Sequence, residues 1–291
     1  METKPIMAGT DGSIDSLRAV EWAAREAALR GTPLRIVSVP AQGSWIALDL
    51  VGPEVISRAA HEASRLALAR AAERAAEVAP GLPLDTALLS GSPARTLADA
   101  ARDASMLVIG SRGTGAFAAM TLGSVGRYAA MHSPAPVVVA REESMAVRRE
   151  IVVGVRDPEE SAAALNFAFE EAALRGARLL AVHAWFWGFP GIGLPEVPGV
   201  GLQHTIDPRE MSANVAARLD AALDGWREKY PGVPTGWEVV QAHPGRVLSG
   251  ASARADLVVL GRHHEDRGVD SVTYAVLSHA HGPVACVPDH R

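Results

Sequence analysis

Three glycines and a serine are spaced as an anion site would need them. Gly110 and Gly113 are followed, after nine intervening residues, by Gly123 and Ser124. Ahead of them Met106–Ile109 is a short apolar run that reads as a buried strand, and Gly110 ends it. Glycine carries no Cβ, so its N–H can approach a phosphate oxygen closely. Ser124 stands where a helical pattern begins, and its hydroxyl can cap that helix or donate to an anion there. This is the chemistry of a polyphosphate cradle. It is not a P-loop, because the Gly-Lys-Ser/Thr ending is missing and no lysine is held against the phosphates. Arg112, inside the loop, can neutralise phosphate charge.

The elements that must position these residues come in duplicate. Glu26-Ala-Ala-Leu-Arg-Gly31 returns as Glu171-Ala-Ala-Leu-Arg-Gly176, and the same offset pairs Ile6–Gly9 with Ile151–Gly154. Ser105–Gly110 pairs likewise with Asp256–Gly261, and the spacing marks a duplicated domain rather than a solenoid. A charged segment, Arg141–Glu150, separates the copies and predicts domains at 1–143 and 148–291. In the first, strands are expected at 6–9, 34–39, 84–89, 106–109 and 136–140. Helices are expected at about 14–30, 54–79, 93–102 and 124–132, with Ser13 or Asp15 as a cap and Gly31 as the closing glycine. Short apolar strands alternating with helices predict a parallel, doubly wound α/β sheet covered on both faces. In such sheets ligands bind beyond the carboxyl ends of the strands, where the chain switches direction. Thr10-Asp11 after the first strand and the loop after Gly110 would then face one crevice.

Composition narrows the classes. The chain has 291 residues, 48% hydrophobic and 21% charged, with a formal charge of −5. That charge argues against a nucleic-acid partner held by bulk electrostatics. No secretory signal is read at the N-terminus, and the most apolar long stretch, 179–194, is broken by His183, Gly188 and Pro190, so no membrane span is expected. Cys286 is the single cysteine, which suits a reducing cytoplasm, and its apolar surroundings read as a small buried hydrophobe. The ten histidines show no metal-ligand spacing. No residue is assigned a catalytic or metal-binding role.

These residues resemble the universal stress protein family in its tandem two-domain form. That family's nucleotide signature, G-x2-G-x9-G-[S/T], stands here without departure as Gly110, Gly113, Gly123 and Ser124. Asp11 at the end of strand one, Val39 at the end of strand two and the closing Pro-Val-Val-Val strand agree with it. The resemblance covers both halves. It implies five-stranded parallel sheets of order 3-2-1-4-5 and, for members carrying the signature, ATP, here expected with Mg2+. By resemblance Asp11 and the Val39 backbone would serve the adenosine end, and Thr10 beside Asp11 is counted among the cofactor-binding residues. Gly110, Gly113, Gly123 and Ser124 would cradle the phosphates, and Val125 would open the helix facing them. Because a carboxylate repels a polyphosphate, Asp11 needs to contact base or ribose, or share a divalent cation.

The second half departs from the signature. Asp11 maps to Arg156, and the stretch after Gly261 is four residues shorter than its counterpart and ends in Asp270-Ser271 rather than Gly-Ser. An aspartate at a helix N-terminus repels phosphate, so this half is not expected to hold ATP in the same manner. The aromatic stretch from Trp185 is expected to cover an interface, and the strands 136–140 and 283–287 to pair antiparallel, making the chain a pseudo-dimer on which a homodimer can build. The leading reading is an ATP-binding regulatory stress-response protein with an unidentified protein partner. A slow Mg-dependent ATPase or phosphotransferase, and a nucleotide-free interaction scaffold, remain open beside it.

Overall fold

Among the described residues the apolar runs become ten strands in one sheet. The computed structural model describes residues 3–41, 52–113, 122–141, 147–186, 208–262 and 271–289. In the first half β1 (Ile6–Gly9), β2 (Leu34–Ser38), β3 (Leu84–Leu88), β4 (Met106–Gly110) and β5 (Val137–Ala140) alternate with α1 (Ile14–Arg30), α2 (Pro53–Val78), α3 (Pro93–Ala100) and α4 (Ser124–His132). The second half repeats them as β6 (Glu150–Gly154), β7 (Arg178–Trp185), β8 (Thr235–Gln241), β9 (Leu257–Arg262) and β10 (Val284–Pro288), with α5 (Ala162–Arg175), α6 (Pro208–Lys229), α7 (Pro244–Ala251) and α8 (Ser271–His279). Strand order is β3-β2-β1-β4-β5-β10-β9-β6-β7-β8, so each half has the expected 3-2-1-4-5 order.

Pairing is parallel within each half and antiparallel where the halves meet. There Val284, Ala285 and Cys286 of β10 lie opposite Val139, Val138 and Val137 of β5, all of them buried. This is the antiparallel pairing expected of the two closing strands. It covers two apolar edges that would otherwise expose unpaired backbone groups. Successive strand residues point to opposite faces, and two cores follow. Ile6 and Ala8 join α1, α2, α5 and α6 on one face. Met7 and Val37 join α3, α4, α7 and α8 on the other. The outer strands β3 and β8 hold no fully buried residue, as suits solvated edges.

The repeated Glu-Ala-Ala-Leu-Arg motif has a physical use at the seam. Glu26 and Arg30 of α1 meet Glu171 and Arg175 of α5, and each arginine pairs with both carboxylates. Arg30 also lies over the Phe167 ring at 5.9 Å and Arg175 over the Trp22 ring at 5.7 Å. Burial, and then the neighbouring Glu26 carboxylate, push Glu171 up to about 7 although two arginines oppose the shift. Two further arginines cross the seam to helix ends, where cations are favoured. Arg262 donates to the carbonyls of Ala130 (3.2 Å) and Ser133 (2.7 Å) at the end of α4. Arg141 donates to Leu277 O in the last turn of α8.

Some expectations need correction. Ser13 does cap α1, its side chain accepting from Ser16 N at 3.2 Å, and Gly31 closes the helix with φ 64°. Ser124 is not a cap: Gly123 holds the N-cap position, and Ser124 is the first helical residue. Trp185 ends β7 and Phe186 follows half-exposed, three strands away from the seam, so this start of the aromatic stretch does not cover the junction of the halves. The remainder of that stretch, residues 187–203, lies outside the described residues.

Candidate functional site

Strand order reverses at β1, which pairs with β2 on one side and β4 on the other. Beyond the carboxyl ends of these strands lies a cleft of about 1210 Å3, its open mouth included. Thr10, Asp11, Val39, Gly110, Arg112, Gly113, Gly123, Ser124 and Val125 all line it. The nine residues singled out in the sequence are therefore brought together. Apolar walls come from Val39, Leu97, Ile109 and Val125, and the N-terminus of α4 opens into the same space.

Short-range bonds fix the acid side. Thr10 N donates to Val37 O at 2.9 Å, and Thr10 Oγ1 lies 3.1 Å from Ser16 Oγ. Thr10 Oγ1 accepts from Gly12 N at 3.2 Å, and Asp11 Oδ1 accepts from Ser13 N at 3.0 Å. Gly12 has φ 80°, a conformation that costs a side chain strain and that lets the chain turn into α1 here. Asp11 thus keeps an exposed carboxylate over the cleft, oriented by the turn behind it.

Close approach explains the glycines of the loop. A Cβ on Gly110 would lie 2.7 Å from the backbone C and O of Asp15, so strand and helix could not pack there. A Cβ on Gly113 would lie 2.5 Å from Asp11 Oδ2, so the acid and the loop meet across the cleft. Gly123 N donates to Ser111 O at 2.9 Å, joining the two ends of the signature although residues 114–121 between them lie outside the described residues. Arg127 N donates to Gly123 O at 3.0 Å and so begins the α4 ladder.

Three polar residues at the cleft were not assigned to it from the sequence. Ser16 and Ser111 contribute to its lining. Asp15, read as a possible cap, instead receives Ser111 Oγ and Arg112 Nε, each at 3.0 Å. No local signal marks that contact, because 97 positions separate Arg112 from Asp15. A nucleotide fits this arrangement. The apolar walls can take a flat base, the Asp11 carboxylate can accept from hydroxyl or amino donors, and the glycine loop leaves backbone close to an anion at a helix start.

In the second half the equivalent cleft is smaller, about 620 Å3, and Arg156 lines it where Asp11 stands in the first. Arg156 Nε pairs with Glu160 at 3.1 Å. Gly261, Val272 and Thr273 also line it, but 263–270, which include Asp270 and two of the histidines, lie outside the described residues. Among the described residues no three of His, Cys, Asp and Glu come together to hold a metal ion, and no helix is long and apolar enough to cross a membrane.

Comparison with known proteins agrees with this architecture. A universal stress protein of Mycolicibacterium smegmatis is 34% identical over 268 residues, covering 89% of this chain and 86% of its own. One of Mycobacterium tuberculosis (strain H37Rv) is 32% identical over 292 residues, covering 96% and 95%. The crystal structure of a universal stress protein from Archaeoglobus fulgidus superposes with a TM-score of 0.70 over 99% of each chain at 16% identity, a likeness of fold. The model of the universal stress protein family matches residues 2–141 and again 148–288. Both halves of the chain, and the chain as a whole, belong to the universal stress protein family.

Proposed function

We propose that this protein is an ATP-binding regulator of stress physiology, with the nucleotide, as Mg-ATP, held in the first half alone. The observation that carries the reading is the convergence of an unbroken glycine signature and an oriented carboxylate on one switch-point cleft. In this reading Thr10, Asp11 and the Val39 backbone contact adenosine. Arg112 and the backbone of Gly110, Gly113, Gly123 and Ser124 receive the phosphates, and Val125 begins the helix whose N-terminus faces them. The unit spanning 148–291 completes the sheet and offers surface to a protein partner, and ATP occupancy sets the form that the partner reads. Its smaller cleft and its Arg156–Glu160 pair support a division of roles between the halves.

The test is to denature purified protein and identify what it releases, for the wild type, Asp11→Ala and Gly123→Ala. ATP or its product from the wild type, lost in both variants while they remain folded, supports the reading. A wild type that carries no nucleotide and takes up no added Mg-ATP sinks it and leaves an interaction scaffold. Steady conversion of ATP to ADP would instead favour a slow ATPase.

A further inference from the structure

Asp15 sits in the first turn of α1, behind the loop rather than on the cleft wall. Its Oδ2 receives Ser111 Oγ and Arg112 Nε, both at 3.0 Å, and its Oδ1 receives Arg18 Nη1 at 3.3 Å. The Asp15 side chain is 13% exposed and that of Arg112 is 54% exposed. A largely buried carboxylate on a helix therefore tethers an exposed cation on the cleft wall. Gly110 brings the loop onto the backbone of the same residue, which leaves little freedom in the tether. Arg141 feels this site as well: burial and Arg112 disfavour its charge, and Asp15 favours it.

An arginine held through Nε keeps its two terminal nitrogens, four N–H donors in one plane, for a second partner. That fork matches a phosphate bidentately. An untethered arginine surrenders much side-chain freedom when it clamps an anion, and a tethered one has surrendered it beforehand.

We propose that Asp15 is a positioning residue that holds Arg112 ready for the phosphate tail, so that the cleft distinguishes a nucleoside triphosphate from a nucleoside. This rests on the nucleotide reading above. The sign of its effect separates it from simple charge. A carboxylate beside a polyphosphate repels it, so removing the charge alone would strengthen ATP binding. Losing the tether would weaken it.

The experiment measures dissociation constants of Mg-ATP, AMP and adenosine for the full chain as wild type, Asp15→Asn, Arg112→Met and the double variant. Asn keeps the size of Asp, and a loss of folded protein lowers active sites for every ligand without moving the ratio of constants. The preference for ATP over adenosine is expected to shrink about threefold to tenfold in Asp15→Asn, with adenosine affinity unchanged. In the Arg112→Met background, where no tether is left to lose, the same substitution is expected to cause no loss and at most a small gain in the preference for ATP. A preference that stays constant or grows with Arg112 present, or a loss that persists without Arg112, overturns the inference alone. A wild type that binds none of the three ligands overturns both it and the nucleotide reading.

Discussion

A methyl group at Gly110 would meet the backbone of Asp15 at 2.7 Å and Ser16 N at 2.9 Å, and neither neighbour is a flexible side chain. Gly110→Ala is therefore expected to destabilise the protein by about 2 kcal/mol, read as a lower urea midpoint. An unchanged midpoint would contradict the packing described. Gly123 stands in the same signature for another reason. Its φ is −69° and a Cβ there would find Ser111 O at 3.7 Å, an ordinary contact. Gly123→Ala should unfold like the wild type yet lose nucleotide, whereas equal losses of stability in both variants would show that the two glycines do the same job. Spacing made the signature legible in the sequence, but not which glycine packs against a helix and which keeps the cradle open. Asp15 was hidden for a related reason: a first-turn acid looks like a helix cap until a loop distant in sequence is folded onto it.

Strands and helices were legible because their apolar periods are short-range properties of the chain. How α1 and α5 meet was not. The repeat of Glu26-Ala-Ala-Leu-Arg30 at Glu171–Arg175 revealed duplication, while the four-charge contact it makes appears only once the halves are docked. Glu171 is raised from 4.5 to about 7, so its neutral form is favoured in the folded protein. The stability tied to that shift is fully present below about pH 4.5 and is lost as pH rises through about 7. Glu171→Gln cannot titrate, so its melting temperature relative to the wild type should rise between those pH values. A constant difference would mean that the two arginines keep Glu171 ionised throughout. Arg262 stands in a charged run of sequence and would be read as solvated, but it is buried and satisfies two carbonyls at the end of α4. Arg262→Met strands both carbonyls and should cost about 3 kcal/mol in denaturant unfolding. A loss well under 1 kcal/mol would show that the contacts carry little.

The two halves form one continuous sheet, and β5 without β10 is a buried apolar strand turned into an open edge. A fragment ending at residue 143 should therefore self-associate in size-exclusion chromatography, and a monomeric, soluble fragment would contradict that view of the seam. The duplication itself was legible at this scale, as was the loss of the signature from the second half. The difference in cleft size was not, since a cleft's volume exists only once its walls are assembled from segments distant in sequence. The central claim, that a duplicated chain keeps one working nucleotide site, is tested most directly by calorimetric titration of nucleotide-stripped full-length protein with Mg-ATP. One ATP per chain, abolished by Asp11→Ala and unaffected by Arg156→Ala, is the predicted result. Two equivalent sites per chain, or binding that survives in Asp11→Ala and disappears in Arg156→Ala, would contradict it.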